Sequence, residues 1–254
     1  MHVLVCIKRV PAPGARIVLT EDQTAIDTRH LGFTVSPHEE CAVEEAVQIN
    51  ERLGGSTTVL TLGPPEAQEQ LRTAMSMGIQ RGVLLQTDNP GWDPRATATA
   101  ITEAVRQIES QHQPFDLILF GTESADAGNY QVGIRVAQAL NRPIVSGVKQ
   151  LSIEDGEIVM HRAVESGFEL CRVATPAVAA VMEGLNLPRY PSMRGRLAAK
   201  NATIDIIEPQ PRSGGLITRR LHHPPQQQSE TVVLGTGSEA ATAVVDLFER
   251  VGLL

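Results

Sequence analysis

Aromatic residues are scarce in this chain: Phe, Trp and Tyr make up 3% of its 254 residues. A core must therefore be built from Val, Ile, Leu, Ala and Met, which suits a parallel sheet covered by helices, whose strands are buried on both faces. Lysine occurs only at positions 8, 149 and 200, and the net charge is −7. An acidic chain repels phosphate backbones at long range, which argues against nucleic acid as a partner. The three cysteines, Cys6, Cys41 and Cys171, are odd in number and widely spaced, and no CxxC pair occurs. That pattern excludes a disulfide framework and a Cys-based zinc site, and fits a reducing compartment. No apolar run approaches the roughly 20 residues of a membrane helix. The run at residues 3–7 is closed by Lys8 and Arg9 and does not read as a signal peptide. The expectation is a cytoplasmic protein, or an organellar one after loss of a presequence, with no metal centre. The phosphate-loop and dinucleotide fingerprints and the HExxH zinc motif are missing as well. Gly235 and Gly237 come near a Gly-x-Gly-x-x-Ala variant, but no second strand follows, so they read as a turn.

What is present is an alternation of strands and helices. Hydrophobic residues account for 42% of the chain and charged ones for 20%, enough for a sizeable core. Residues 2–7 (HVLVCI) read as a buried first strand. Ser36 can cap a helix that Pro37 opens, with Glu39 and Glu40 at its positive end. Strands are expected at 57–62, 82–86 and 115–120 (FDLILF), with helices over 66–77, 94–110 and 131–140. The loop at 88–91 leads into the second of these three helices. This order predicts βαβ units and a doubly wound, mostly parallel sheet. The rhythm then changes. Residues 149–153 and 157–163 suggest a hairpin across Asp155 and Gly156, with further strands at 169–173 and 177–181. Residues 209–230 are rich in Pro, Gln, Arg, His and Gly and read as a linker or surface arm. An amphipathic helix over 238–254 closes the chain, with Ser238 as its cap.

In an open parallel sheet, ligands bind beyond the carboxyl ends of the strands, where the strand order reverses. The loop at 121–131 (GTESADAGNYQ) leaves such an end and runs into a helix N-terminus. Unpaired backbone N–H groups and the helix dipole there can hold an anion without any lysine. The helix start at Ser36 offers a second such terminus. Such loops also occur in sheets that bind nothing. A further stretch, 184–200 (GLNLPRYPSMRGRLAAK), places Leu187, Tyr190 and Met193 among arginines. It reads either as an interface loop or as a loop folded back on its own core.

Several segments in order carry a specific resemblance: VLVCIKRV at 3–10, SPHEECAVEEAV at 36–47, LRTAMSMGIQRG at 71–82, DLILFGTESADAGNYQVG at 116–133, TPAVAAV at 175–181 and NLPRYPSMRGRLAAK at 186–200. Together they resemble the β (small) subunit of electron transfer flavoproteins over nearly the whole chain. The resemblance implies an α/β, Rossmann-like fold of the adenine-nucleotide α-hydrolase kind, with a nucleotide-binding domain over 1–208 and a C-terminal arm and helix over 209–254 that contact an α subunit. It implies AMP in this chain, or a second FAD in electron-bifurcating relatives that oxidise NADH, and FAD shared with the α subunit of a heterodimer. The nucleotide is expected at Cys6, at Ser36, Pro37, His38 and Glu39, at Leu62, and along Gly121, Thr122, Glu123, Ser124, Ala125, Asp126, Gly128, Asn129, Tyr130, Gln131 and Val132. Leu187, Pro188, Arg189, Tyr190 and Met193 match the loop that docks transiently on flavin dehydrogenases, from which electrons pass on to a quinone reductase. The implied role is that of an electron carrier with no catalytic residue of its own. An ATP-binding sensor of the same fold is the reading from another class. The chain departs from the family at 11–14 (PAPG), where relatives often carry an aspartate or a flavin-contacting aromatic, and at Ala163, where some carry a glutamate. Asn129 and Tyr130 stand where many members have Thr–Ala; the tyrosine would either stack on adenine or crowd a larger ligand.

Overall fold

A computed structural model describes residues 1–88, 92–210, 215–225 and 231–254. The expectations for 89–91 in the third crossover, and for 211–214 and 226–230 in the arm, lie outside the described residues. The chain begins with β1 (His2–Cys6), followed by a short ribbon, β2 (Val10–Pro11) and β3 (Phe33–Thr34). Next come α1 (Pro37–Leu53), β4 (Ser56–Gly63), α2 (Gln68–Met77), β5 (Arg81–Gln86), α3 (Pro94–Gln111), β6 (Leu117–Gly121) and α4 (Val132–Leu140). The second half holds β7 (Ile144–Glu154), β8 (Glu157–Val164), β9 (Gly167–Ala174), β10 (Ala177–Val181), α5 (Met193–Asn201), β11 (Ile204–Ile207) and α6 (Ala241–Arg250).

Among the described residues, nine strands form one sheet in the order β11-β5-β4-β1-β6-β10-β7-β8-β9. It is parallel from β11 to β7 and antiparallel across β7, β8 and β9. This is the doubly wound α/β architecture read from the sequence. Successive strand residues point to opposite faces, and here both faces are covered. Val3, Val5, Leu117 and Leu119 pack with α1 and α2 residues such as Val43 and Leu71. Leu4, Ile118 and Phe120 pack with Ile101 and Val105 of α3 and Val136 of α4. Each large aliphatic side chain so buried contributes roughly 1.5–3 kcal/mol. That double burial explains the unbroken aliphatic runs of β1, β6 and β10.

Several local expectations change. β7 is longer than the hairpin arm at 149–153, because its first half pairs in parallel with β10 and its second half antiparallel with β8. Gly147, at φ +75°, sits where the register with β10 slips. Ser238 does not cap the last helix: a 3-10 turn over Gly237–Ala240 intervenes, and α6 starts at Ala241 without a side-chain cap. Among the described residues, the arm is hydrogen-bonded to Asp93 and to Gln23. The Leu216 N–H donates to Asp93 Oδ2 (3.1 Å), and the Leu221 N–H to the Gln23 carbonyl (2.7 Å). No helix of the described residues is long and apolar enough to cross a membrane.

Candidate functional site

The chain leaves β1 toward β4 and β5 on one side, then returns through α3 to β6 and β10 on the other. The strand order therefore reverses between β1 and β6, and a crevice opens beyond their carboxyl ends. A cavity of about 480 Å³ occupies it. Cys6, Glu39, Leu62, Gly121, Thr122, Glu123, Ser124, Asp126, Asn129, Tyr130, Gln131 and Val132 all line this cavity. Ser36, Pro37, His38, Ala125 and Gly128 are not in its wall. Ser36 and His38 support the wall from behind. The Ser36 N–H (3.2 Å) and Oγ (3.0 Å) both donate to the Glu39 carboxylate, and His38 Nε2 lies 3.6 Å from Glu123 Oε1.

The cavity floor is tightly built. A Cβ at Gly121 would stand 2.8 Å from Glu39 Cγ and 3.1 Å from His38 Cβ, so only glycine lets α1 approach β6 this closely. Thr122 ties the loop after β6 to β10: its N–H donates to the Val181 carbonyl at 2.8 Å, and its Oγ1 reaches the Ala180 and Val181 carbonyls at 3.0 Å. Tyr130 takes a left-handed conformation (φ 55°) just before α4. Its hydroxyl is hydrogen-bonded to Glu123, which holds its pKa above the usual range.

Charge in the crevice is arranged around α4. The N–H groups of Val132, Gly133 and Ile134 begin that helix, where no preceding turn supplies carbonyls to pair with them. The sequence points to an anion held there without lysine; the structure brings Lys8 and Arg9 to the same cavity. Lys8 Nζ meets both Asp126 oxygens, at 2.6 and 2.8 Å, across the crevice. Burial opposes ionisation of Asp126, but the hydrogen bond and charge of Lys8, with hydrogen bonds from Ser124 and the Ala127 N–H, together outweigh it and lower its pKa. Arg9 lies over the Phe33 ring at 3.3 Å, and its buried Nε has no hydrogen-bond partner. The free helix terminus of α4, in one cavity wall with Lys8, fits a phosphate group. Burial raises the Glu39 pKa to about 8, against smaller opposing effects from its hydrogen bonds to Ser36. Burial, reinforced by Glu39, likewise raises that of the Cys6 thiol. No group of three His, Cys, Asp or Glu side chains among the described residues is placed to hold a metal ion.

A further part of the wall was not named from the sequence. Thr87, Asp88 and Trp92 follow β5, and Pro94, Thr97 and Ile101 belong to α3. The rule about carboxyl ends extends to the loop after β5, but nothing in its composition marks individual residues. Lys8 and Arg9 were read as the charges that close the first strand, although the same rule covers them.

The loop before α5 is the second candidate site. Leu187, Tyr190 and Met193 are 88%, 94% and 80% exposed. Pro188 is half-buried, and Arg189 turns inward. Its guanidinium meets Glu44 of α1 at 2.9 and 3.0 Å and Glu51 at 2.6 and 2.9 Å. Asn186 Nδ2 donates to the Cys41 carbonyl and to Glu45, both at 3.1 Å. At the other end, Arg72 Nη1 caps α5 through the carbonyls of Ala199 (2.6 Å), Lys200 (3.1 Å) and Ala202 (3.0 Å). The apolar tip is thus held from both ends.

These features define a doubly wound α/β protein with a built cavity at its switch point and a braced, apolar surface loop. The electron transfer flavoprotein domain matches residues 23–211. An electron transfer flavoprotein subunit beta of Thermoanaerobacterium thermosaccharolyticum is 34% identical over 79% of this chain and 75% of its own length. Its counterpart in Bacillus subtilis is 30% identical over 97% of both chains. Protein FixA of Bradyrhizobium diazoefficiens is 30% identical over 97% of this chain and 90% of its own length. The chain belongs to the electron transfer flavoprotein family, among its β subunits.

Proposed function

We propose that this chain is the AMP-holding half of an electron-carrying heterodimer. Its α subunit carries the redox-active FAD, and the pair takes electrons from flavin dehydrogenases and delivers them to a quinone reductase. The observation that carries the reading is the cavity at the switch point between β1 and β6, walled by Lys8, Glu39, the loop after β6 and the start of α4. AMP suits its charge: the N–H groups of Val132, Gly133 and Ile134 and the Lys8 ammonium serve the phosphate, while the loop after β6 offers polar groups to the ribose. FAD, when bound in the partner, supplies the electron chemistry. The role of this chain's residues is to hold the nucleotide, shape the α-subunit interface and present the loop with Leu187, Tyr190 and Met193. Exposed apolar side chains on a braced loop suit a transient contact whose ordering cost has already been met.

Co-expression with the α subunit of the same organism tests this. A 1:1 complex with flavin absorbance is expected, and a flavin dehydrogenase of that organism should reduce it. Met193→Asp should slow that reduction and leave the complex and its flavin content unchanged. A chain that stays monomeric beside its α subunit, or a Met193→Asp complex reduced at the native rate, would contradict the reading.

A further inference from the structure

The cavity wall carries both polar and apolar side chains. Lys8, Thr122, Glu123, Ser124 and Asp126 line it together with the start of α4. Leu60, Leu62, Trp92 and Ile101 line it as well, beside Thr87, Asp88 and Thr97. Leu60 and Ile101 are buried parts of the core beneath α3 and α4. Leu62 and Trp92 pack against that core but stay only partly buried, and both also line the cavity. Trp92 is the sole tryptophan of the chain. Its Nε1–H donates to Thr87 Oγ1 at 3.0 Å, so the polar edge of the indole is satisfied by the protein. The following residue is fixed too. Asp93 caps α3, accepting from the Ala96 N–H at 2.8 Å, and Pro94 opens the helix. The indole is thus anchored at its edge and its backbone while it lines the cavity.

Resting on the reading of the cavity as a nucleotide site, we propose that Trp92 is its base-binding residue. A purine stacks on the indole between Leu62 and α3, with the phosphate toward α4 and Lys8. A nucleotide carries one flat aromatic group and one anion, and the wall offers an indole to the first and Lys8 with the start of α4 to the second. Stacking on an aromatic face needs no hydrogen-bond donor or acceptor from the protein, and the indole has none to spare. Of the other aromatic residues of the wall, Phe120 is buried in the core beneath α4, and Tyr130 is 55% exposed and tied to Glu123 just before α4. The site then discriminates by base size: a purine covers more of the indole than a pyrimidine does.

The test uses the full-length chain, dialysed free of nucleotide, with AMP, CMP and ribose 5-phosphate as probes. AMP should quench the fluorescence of Trp92, and ribose 5-phosphate should bind without quenching it. Trp92→Leu should weaken AMP about tenfold or more, the order expected for one lost base–aromatic stack. It should leave ribose 5-phosphate unchanged and erase the preference for AMP over CMP. Trp92→Phe should restore most of the AMP affinity, and Tyr130→Leu should keep the native ratio of AMP to ribose 5-phosphate affinity. AMP binding that is equal in native and Trp92→Leu protein, with unquenched fluorescence, overturns the role of Trp92 and leaves the nucleotide reading standing. A native chain that binds neither AMP nor ribose 5-phosphate overturns both.

Discussion

Arg189 grips Glu44 through two guanidinium nitrogens, Nε at 2.9 Å and Nη2 at 3.0 Å, and through its own backbone N–H at 3.1 Å. Glu44 is almost fully buried, and Arg189 spans from it to Glu51 one α1 turn pair away. Burial disfavours the Glu44 carboxylate, yet the hydrogen bonds from Arg189 and Gln48 outweigh that effect and hold its pKa below the ordinary value. The same helix that brings Glu39 to the cavity between β1 and β6 thereby fixes the exposed loop along its flank.

Arg189→Ala should strand a buried carboxylate. Because the arginine is partly exposed, the expected loss is at the lower end for such a pair, about 1–3 kcal/mol. Urea unfolding measures it. In the same variant, trypsin should cleave faster after Arg194 and Arg196, since the loop has lost its grip on α1. Unchanged cleavage would show that Asn186 and the α5 contacts hold the loop by themselves.

Glu39 makes a prediction about pH. Its folded pKa is about 8 against an ordinary value of 4.5, so between these values the folded state holds a proton that the unfolded state has released. Stability from this group is therefore full below pH 4.5, falls as the pH rises through that window, and is lost above about 8. Glu39→Gln, which cannot ionise, should remove this fall. The difference in melting temperature between the two proteins should widen in favour of the variant from pH 5 to about 8. Parallel curves across that range would place Glu39 in a wetter setting than its burial indicates.

Gly121→Ala places a methyl group against Glu39 and His38, whose carbons would lie 2.8 and 3.1 Å away. The start of α1 must retreat from β6. A cost of about 1–3 kcal/mol is expected for such overpacking, read by denaturant unfolding, together with weaker AMP binding. Gly156→Ala is a useful control, since a Cβ there meets nothing within 4 Å and only the positive φ of +83° penalises it.

Much of this was legible in the sequence for a simple reason. Strands buried on both faces read as aliphatic runs, so residues 115–120 marked β6, and Ser36 with Pro37 marked the start of α1. The placement of the cavity followed from topology once the strands were known. What escaped detection were features that depend on partners far along the chain. The ribbon of β2 and β3 is two residues per strand and contains Pro11, so no periodicity announces it. β11 is four residues long and is held at the sheet edge by Arg81 and Asp205, 2.7 Å apart and 124 positions apart in sequence. Ser238 carries the right side chain for a cap, but the 3-10 turn begun at Gly237 moves the helix start past it. Trp92 could not be assigned to the cavity before α3 was placed against β4 and β6. The inward turn of Arg189 depends on Glu44, a charged residue on a helix face that ordinarily reads as solvated.

The nucleotide content of the purified heterodimer tests the central claim most directly. Released nucleotides, identified by mass and counted against protein, should amount to one FAD and one AMP per pair of subunits. Two FAD and no AMP would contradict the carrier reading and assign the cavity between β1 and β6 to a second flavin.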